Sequence, residues 1–214
     1  VAVLTLALGI GANTAMFSIV NELLLRPLSG RAGELVGLYS RDRTTPDSYR
    51  LFSYPNYTDI RNHALSATLL AQTFTRVGTV DGQGDRQLLA AVVSSNYFEA
   101  LGVRLAVGRM FMLDEERPGA RQRVAIATYP RWQRANLDPA FVGSTLRINA
   151  DEYTIVGVTP EGFTGTMALL SPEVYLPLGV FEAVVNDRFK NDGRGLGHRA
   201  TEGLVLSGRV KDGL

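Results

Sequence analysis

Hydrophobic and polar positions divide the chain into two unlike parts. Residues 1–20 carry no charged side chain, and all 22 basic and 21 acidic residues lie at Glu22 or beyond. About 20 apolar residues, at about 1.5 Å per residue, match the roughly 30 Å hydrocarbon core of a bilayer. The pattern therefore predicts a transmembrane helix over residues 1–25. The alternatives are a buried helix of a soluble core, or a signal peptide with its basic start and small-residue cleavage site.

Small residues recur along one face of this predicted helix. Ala7, Gly11 and Ala15 are spaced by four residues, and Asn13 lies between them. Such a stripe lets a second helix approach closely, and an asparagine can hydrogen-bond across the contact. We predict that these four residues form a helix-packing surface. The alternative is that glycine and alanine are simply common in membrane helices.

The predicted exit from the membrane has its own signal. Arg26 and Pro27 follow three leucines at residues 23–25. Proline fixes its own φ and restricts the residue before it, and an arginine side chain at this depth can reach lipid headgroups. We predict that Arg26 and Pro27 form a stiff membrane-exit coupling. The simpler alternative is that the Arg-Pro pair only ends the helix.

Beyond Pro27 the pattern alternates between helix-like and strand-like segments, which predicts a mixed α and β domain. Ser53 and Pro55 are typical of a helix that starts at Tyr54, and Gly102 is typical of a helix end. Pairs of strands separated by short turns predict hairpins over 69–93 and 144–158. The predicted helices are 54–62, 96–101 and 130–136, and the predicted strands are 34–40, 69–80, 86–93, 123–128, 144–149, 153–158, 173–177 and 204–210.

Charge and composition exclude several classes of partner. Basic and acidic residues are interspersed, and the net charge is +1. No basic stripe or charged tail suited to nucleic acid is present, so we predict no nucleic-acid partner. The chain has no cysteine, which excludes a disulfide framework and a thiolate metal site.

Catalytic motifs are missing from the sequence, and we predict no catalytic, cofactor-binding or metal-binding residue. His63 and His198 are far apart in the chain and are interpreted as surface or hinge residues. The acidic run at 114–116 is interpreted as a solvated loop, and the glycine-rich run at 193–197 as a flexible linker. Four aromatic residues near predicted helix starts are interpreted as core residues: Tyr54, Tyr57, Tyr97 and Phe98.

Several stretches resemble one family in the same order. The run LTLALGIGANTAMFSIVNELLLRPL at 4–28 is similar to the first membrane helix and exit of MacB-type ABC transporter permeases. The likeness is greatest to the FtsX-like, duplicated orphan permeases of acidobacteria. The other matching stretches are LFSYPNYTDIR at 51–61, VVSSNYFEALGVRLAVGRMF at 92–111, RVAIATYPRWQR at 123–134, VGSTLRINADEYTIVGVTPEGFTG at 142–165 and LVLSGRVKDG at 204–213.

The resemblance implies an α+β architecture, in which one N-terminal transmembrane helix is followed by a two-lobed periplasmic core domain over 26–214. The membrane-proximal lobe would take about 26–93 and 200–214, and the inserted lobe about 94–199. Because later helices and a nucleotide-binding domain are missing, the segment is expected to be truncated at both ends.

The resemblance also implies a function. Family members are non-catalytic permease subunits of ABC-type export, efflux or envelope-remodelling systems in the bacterial inner membrane. ATP hydrolysis on a separate subunit or domain moves the membrane helices, and the periplasmic domain rearranges with them, which is called mechanotransmission. Expected partners are the lipid bilayer, other helices of the permease, an ABC ATPase and a second copy or paired half. Orphan-type members often lack an adjacent ATPase.

Two other function classes stay open on the sequence. A singly anchored extracytoplasmic binding or adaptor module would carry the same helix and domain. An anchored periplasmic enzyme is also compatible, because the members of a catalytic triad need not be close in sequence.

Overall fold

The computed structural model describes residues 10, 11, 14, 35–41, 49–81, 84–167, 171–185 and 194–210. Its helices are α1 (Tyr54–His63), α2 (Tyr97–Ala100), α3 (Leu113–Glu116), α4 (Tyr129–Arg134) and α5 (Phe181–Val184), with 3₁₀ turns at Pro139–Phe141 and Leu178–Val180. Its strands are β1 (Leu35–Leu38), β2 (Ser40–Arg41), β3 (Tyr49–Arg50), β4 (Ala67–Asp81), β5 (Gly84–Val93), β6 (Val107–Gly108), β7 (Val124–Ala127), β8 (Thr145–Ile148), β9 (Asp151–Val158), β10 (Val174–Pro177) and β11 (Val205–Val210).

Nine of the described strands form one mixed sheet in the order β1-β11-β4-β5-β10-β7-β9-β6, with β8 paired to β9 and β4. One half of this sheet consists of β1, β4, β5 and β11, which come from 26–93 and 200–214, and the other half consists of β6 to β10, which come from 94–199, whereas β2 and β3 pair in a separate sheet. The parallel pair β5–β10 joins the halves from Val174 opposite Ala90 to Pro177 opposite Val93. The division into two lobes stays a prediction.

The longest strand pairing in the sheet is the hairpin of β4 and β5. Its register runs from Gln72 opposite Val93 to Asp81 opposite Gly84, which confirms the predicted hairpin. Gly84 has φ +100°, a left-handed value that glycine adopts without steric cost. The second predicted hairpin, β8 with β9, is also present.

The sheet is buried on both faces, and successive residues alternate between two cores. Leu69 lies in the core under α1, and Leu70 lies in the core under α2. Residues 90–93 alternate in the same way, and all four are fully buried. This explains why the end of β5 is a continuous apolar run rather than an alternating one.

Helix α1 begins as predicted. The Ser53 hydroxyl accepts a hydrogen bond from the Asn56 N–H at 3.3 Å, and Pro55 occupies the first turn, where its missing N–H costs nothing. Tyr54 and Tyr57 point into the core, as do Tyr97 and Phe98 of α2, so the four predicted core aromatics are confirmed. At the end of α2, Gly102 adopts φ +67° and stops the helix.

No helix within the described ranges is long and apolar enough to cross a bilayer. Of residues 1–25 the structure describes Ile10, Gly11 and Thr14, all three in helical backbone. The other residues of the predicted transmembrane helix lie outside the described residues, and the helix stays a prediction.

Candidate functional site

The chain enters and leaves the described domain through neighbouring strands. β1 and β11 are antiparallel partners, with Leu35 opposite Arg209 and Leu38 opposite Leu206. On its other side β11 pairs with β4 over six residues, from Val205 opposite Gln72 to Val210 opposite Ala67. The segments before Leu35 and after Val210 therefore start from the same end of the same sheet edge, which is called the connection end below.

One predicted site residue is described, and the others are not. Gly11 is exposed in helical backbone, and a Cβ built on it meets no atom within 4 Å. The neighbouring Thr14 hydroxyl donates to the Ile10 carbonyl at 2.8 Å, so this polar side chain is satisfied within its own helix. Ala7, Asn13, Ala15, Arg26 and Pro27 lie outside the described residues, and their roles stay predictions.

The most polar feature of the interior is the Glu116 carboxylate, which is fully buried. Its Oε1 accepts from the Tyr54 hydroxyl at 3.2 Å and from Arg61 Nη1 at 3.1 Å. Its Oε2 accepts from the Ser95 N–H at 2.8 Å and from the Ser95 hydroxyl at 2.5 Å. Four donors thus fill the four acceptor positions of the carboxylate, which is the condition for burying a charge.

A second set of contacts continues from Arg61 into the sheet. Arg61 also donates to the Tyr57 hydroxyl at 3.2 Å, and its guanidinium carbon lies 5.0 Å from the centre of that ring. The Tyr57 hydroxyl donates to Asn96 Oδ1 at 3.2 Å, and Asn96 Nδ2 donates to the Leu69 carbonyl of β4 at 2.8 Å. Ser94 joins the same group through its hydroxyl, which donates to Asn96 Oδ1 at 2.8 Å.

These residues, called the Glu116 network below, tie α1, the start of α2 and the end of α3 to β4. Burial, and then the negative charge of Glu116, raise the pKa of the Tyr54 and Tyr57 hydroxyls. Both phenols therefore stay protonated donors at neutral pH. A carboxylate whose acceptor positions are all occupied has no free position for a substrate proton, so the network is suited to holding segments together.

The neighbouring Glu115 is also buried, and it has an arginine partner of its own. Its carboxylate forms a bidentate pair with Arg109 at 3.1 and 2.7 Å, and it accepts from the Met112 N–H at 2.7 Å. The prediction of a solvated acidic loop at 114–116 is therefore wrong for two of its three residues. Asp114 alone is exposed, with 72% of its side chain in solvent. The physical reason is that each buried carboxylate has an arginine, brought from outside the run, to compensate its charge.

The prediction of a flexible linker at 193–197 is wrong for its described part, residues 194–197. Leu196 is fully buried in the core, and its N–H donates to Glu182 Oε1 at 2.7 Å. A side chain at Gly195 would lie 2.6 Å from the same Glu182 oxygen, so this glycine allows a close approach rather than flexibility.

A cluster of aromatic rings fills the core under α2. Phe98 lies 5.1 Å from Tyr175 and 5.8 Å from Phe163, measured between ring centres. Burial raises the pKa of the Tyr97 hydroxyl to about 12, and burial raises that of Tyr175 further. The Tyr175 hydroxyl has no hydrogen-bond partner among the described residues. A phenol with a raised pKa in a closed core does not serve as a base at neutral pH.

Within the described ranges no three His, Asp or Glu side chains come together as a metal site. His63 and His198 are both exposed, as predicted. His63 Nδ1 lies 2.7 Å from the Asp59 carbonyl oxygen of its own helix.

Sequence reasoning identified the stretches that build the Glu116 network but missed the network itself. Tyr54, Tyr57 and Arg61 are spaced by three and four residues, which places them on one helix face and was a usable signal. Glu116 lies 55 residues beyond Arg61, and nothing in the sequence marks it as the partner. The buried carboxylate therefore needed the fold to be found.

Solved structures of the same fold define a class for the domain. The periplasmic region of MacB from Actinobacillus actinomycetemcomitans matches with TM-score 0.59 at 11% identity, covering 91% of this chain and 79% of that one. The extracellular domain of the noncanonic ABC-type transporter YknZ from Gram-positive bacteria matches with TM-score 0.57 at 12% identity, covering 83% and 84%. The chain thus shares the fold of these two domains.

The family follows from the sequence itself. Residues 1–212 match the MacB-like periplasmic core domain, and the chain belongs to that family. The expected resemblance and the mixed α and β fold are thereby confirmed. No curated relative matches the chain.

Proposed function

We propose that this chain is part of the permease subunit of an ABC-type export or envelope-remodelling system in the bacterial inner membrane. Residues 26–214 lie outside the cytoplasm, and movement of the membrane helices is passed to them by mechanotransmission. The domain itself does no chemistry, and ATP is hydrolysed on a separate subunit or domain. The membership of the MacB-like family supports the setting, and the pairing of β1 with β11 carries the proposal of coupling.

The pairing supports coupling because the segments before Leu35 and after Val210 both pull or push on the same part of the sheet. A displacement of the segment before Leu35 moves β1, and the hydrogen-bonded ladder passes that displacement to β11 and then to β4. β4 is 15 residues long and pairs with β5 along ten of them, so the displacement reaches the middle of the sheet. The Glu116 network then makes α1, α2 and α3 move together with β4.

The membrane partners of the proposal are those that the family implies. Ala7, Gly11, Asn13 and Ala15 would face another helix of the permease or of a paired copy. Arg26 and Pro27 would form the stiff link between the membrane and the domain. The lobes at 26–93 with 200–214 and at 94–199 would be the two parts that rearrange.

Placement outside the cytoplasm is tested by labelling in intact cells. Residues 1–214 contain no cysteine, so Val80→Cys adds one thiol within them, at a side chain that is 47% exposed, and the unsubstituted full-length permease gives the background labelling. We expect a membrane-impermeant maleimide to label this thiol without lysis. Ala91→Cys is the matched control, because this position is fully buried and its thiol reacts after denaturation. Labelling of Val80→Cys only in lysed cells would overturn the placement.

Coupling is tested at the membrane exit. Pro27→Gly in the full-length permease should lower export or the stimulation of ATP hydrolysis, because glycine removes the fixed φ of the link. Expression and the unfolding midpoint should change little. Pro139→Gly, at an exposed surface turn, is the control for the same substitution elsewhere. Unchanged coupling in a normally expressed Pro27→Gly protein, or purification without any ATPase, would favour a singly anchored adaptor instead.

A further inference from the structure

The connection end of the sheet carries an exposed apolar surface. Leu65, in the loop between α1 and β4, is 87% exposed, and Val36 and Val210 are 49% and 46% exposed. Val210 lies directly opposite Ala67, which follows Leu65 by two residues. Val36 lies opposite Gly208, so it is a diagonal neighbour of Val210 on the same sheet face.

We propose that this surface, formed by Val36, Leu65 and Val210, rests on the lipid bilayer, with Leu65 entering the headgroup region. The inference rests on the proposed function, because it takes the connection end to face the membrane. The uncharged run at 1–20 ends shortly before β1. From Leu28 to Leu35 the chain spans at most about 3.6 Å per residue, so β1 begins within roughly 25 Å of Leu28.

The small area of this surface favours a contact with lipid over a contact with protein. A stable protein interface buries about 800 Å² on each partner, mostly around large aromatic anchors. Three aliphatic side chains supply only a fraction of that area. A lipid surface needs no such minimum here, because the chain is already held nearby and the contact adds only orientation.

The length of β4 makes the proposal testable, because the two ends of this strand should lie at different distances from the bilayer. Its first residue, Ala67, lies at the connection end, and Val80 lies thirteen residues further along the same strand. At about 3.3 Å per residue the two positions are roughly 40 Å apart. If Leu65 touches the bilayer and β4 runs away from it, Val80 lies in water well beyond the headgroups.

Spin labels on the full-length permease in phosphatidylcholine proteoliposomes test this directly. Leu65→Cys and Val36→Cys are labelled separately, and Val80→Cys is the matched control at the other end of β4. We expect the ratio of collisions with oxygen to collisions with a water-soluble nickel chelate to be several-fold higher at residues 36 and 65 than at residue 80. Oxygen concentrates in lipid and the chelate stays in water, so this ratio reports contact with the bilayer.

Two outcomes would overturn the inference. Equally low ratios at residues 36, 65 and 80 would place the connection end in water. Exclusion of both reagents at residues 36 and 65 would mean that protein, a second copy or another helix, covers the surface. Either result leaves the proposed function intact as long as the maleimide reaches Val80→Cys in intact cells. Failure of that labelling removes the proposed function and the inference together.

Discussion

Glu116 and Glu173 are both carboxylates held by arginine, but Glu116 is fully buried and Glu173 is partly exposed. Glu116 is fully buried and its partner Arg61 is 26% exposed, whereas Glu173 is 29% exposed and bridges Arg86 and Arg134, both at 2.9 Å. A buried charge that loses a partner keeps its desolvation cost, whereas an exposed one is rehydrated. The comparison teaches that the number of ion pairs says less about stability than where they lie.

The largest expected effect is that of Glu116→Ala. Four donors would lose their acceptor, among them the charged Arg61, so the free energy of unfolding should fall by about 3–5 kcal/mol. Urea unfolding followed by circular dichroism measures the change. Asp114→Ala in the same short helix is the control and should cost less than about 0.5 kcal/mol, since that side chain is exposed. Equal losses in the two variants would contradict the role given to the Glu116 network.

Arg61→Met should have the next largest effect. It removes one hydrogen bond to the Glu116 carboxylate and the contact over the Tyr57 ring, while three donors to Glu116 remain. Because those three donors still compensate the buried charge in part, the expected loss is that of one hydrogen bond to a charged group, about 1.5–3 kcal/mol. Native-state hydrogen exchange should show faster opening of α1 than of β4. Arg61→Lys should recover only part of the lost stability, because lysine lacks the planar guanidinium group of arginine. Uniform exchange changes across the sheet would argue against a local role.

A pair of identical substitutions sharpens the comparison further. Tyr54→Phe removes a hydroxyl that donates to Glu116 and should cost about 1–2 kcal/mol. Tyr175→Phe removes a buried hydroxyl that lacks a partner among the described residues, so it should be neutral or stabilising by up to about 1 kcal/mol. Thermal unfolding of both variants checks the difference. A larger loss at Tyr175 than at Tyr54 would reverse our interpretation of the two hydroxyls.

The smallest effect is expected for Glu173→Gln, and it should depend on pH. Burial raises the pKa of Glu173, but hydrogen bonds from Arg134 and Arg86 outweigh it and leave the pKa below its ordinary value of 4.5. A lowered folded-state pKa stabilises the fold above the unfolded pKa, and this contribution is lost as the pH falls through the folded value. The variant should therefore be about 0.5–1 kcal/mol less stable at pH 7 and equal to the parent in strong acid. A stability difference between the variant and the parent that grows as the pH falls below 4.5 would contradict the predicted pH dependence.

Local signals in the sequence predicted most of the fold. Ser53 and Pro55 located the start of α1, the turn before Gly84 located the main hairpin, and alternation located β8 and β9. These signals succeed because capping and turn formation depend on neighbours in the chain. The sheet order is different: β11 inserts between β1 and β4, and such a pairing of distant segments has no local signature.

The candidate site shows the same limit more sharply. An acidic run normally indicates a solvated loop, because a single carboxylate is costly to bury. Glu115 and Glu116 are exceptions, because each has a compensating arginine. The partner of Glu115 lies six residues before it, and the partner of Glu116 lies 55 residues before it. The helix-packing and membrane-exit residues had a clear local signal, but the roles of all six stay predictions: Ala7, Gly11, Asn13, Ala15, Arg26 and Pro27.

The pairing of β1 with β11 also gives the domain a direction-dependent mechanical response. A force that moves both strands together loads the whole sheet at once and meets the combined resistance of its ladders. A force that pulls Leu35 away from Arg209 acts at one end of an antiparallel pair and opens its hydrogen bonds one after another, as a zipper opens. Under the proposed coupling, we therefore expect the base of the domain to resist thrust more than separation, so that a piston-like movement of the membrane helices would be transmitted better than a spreading one.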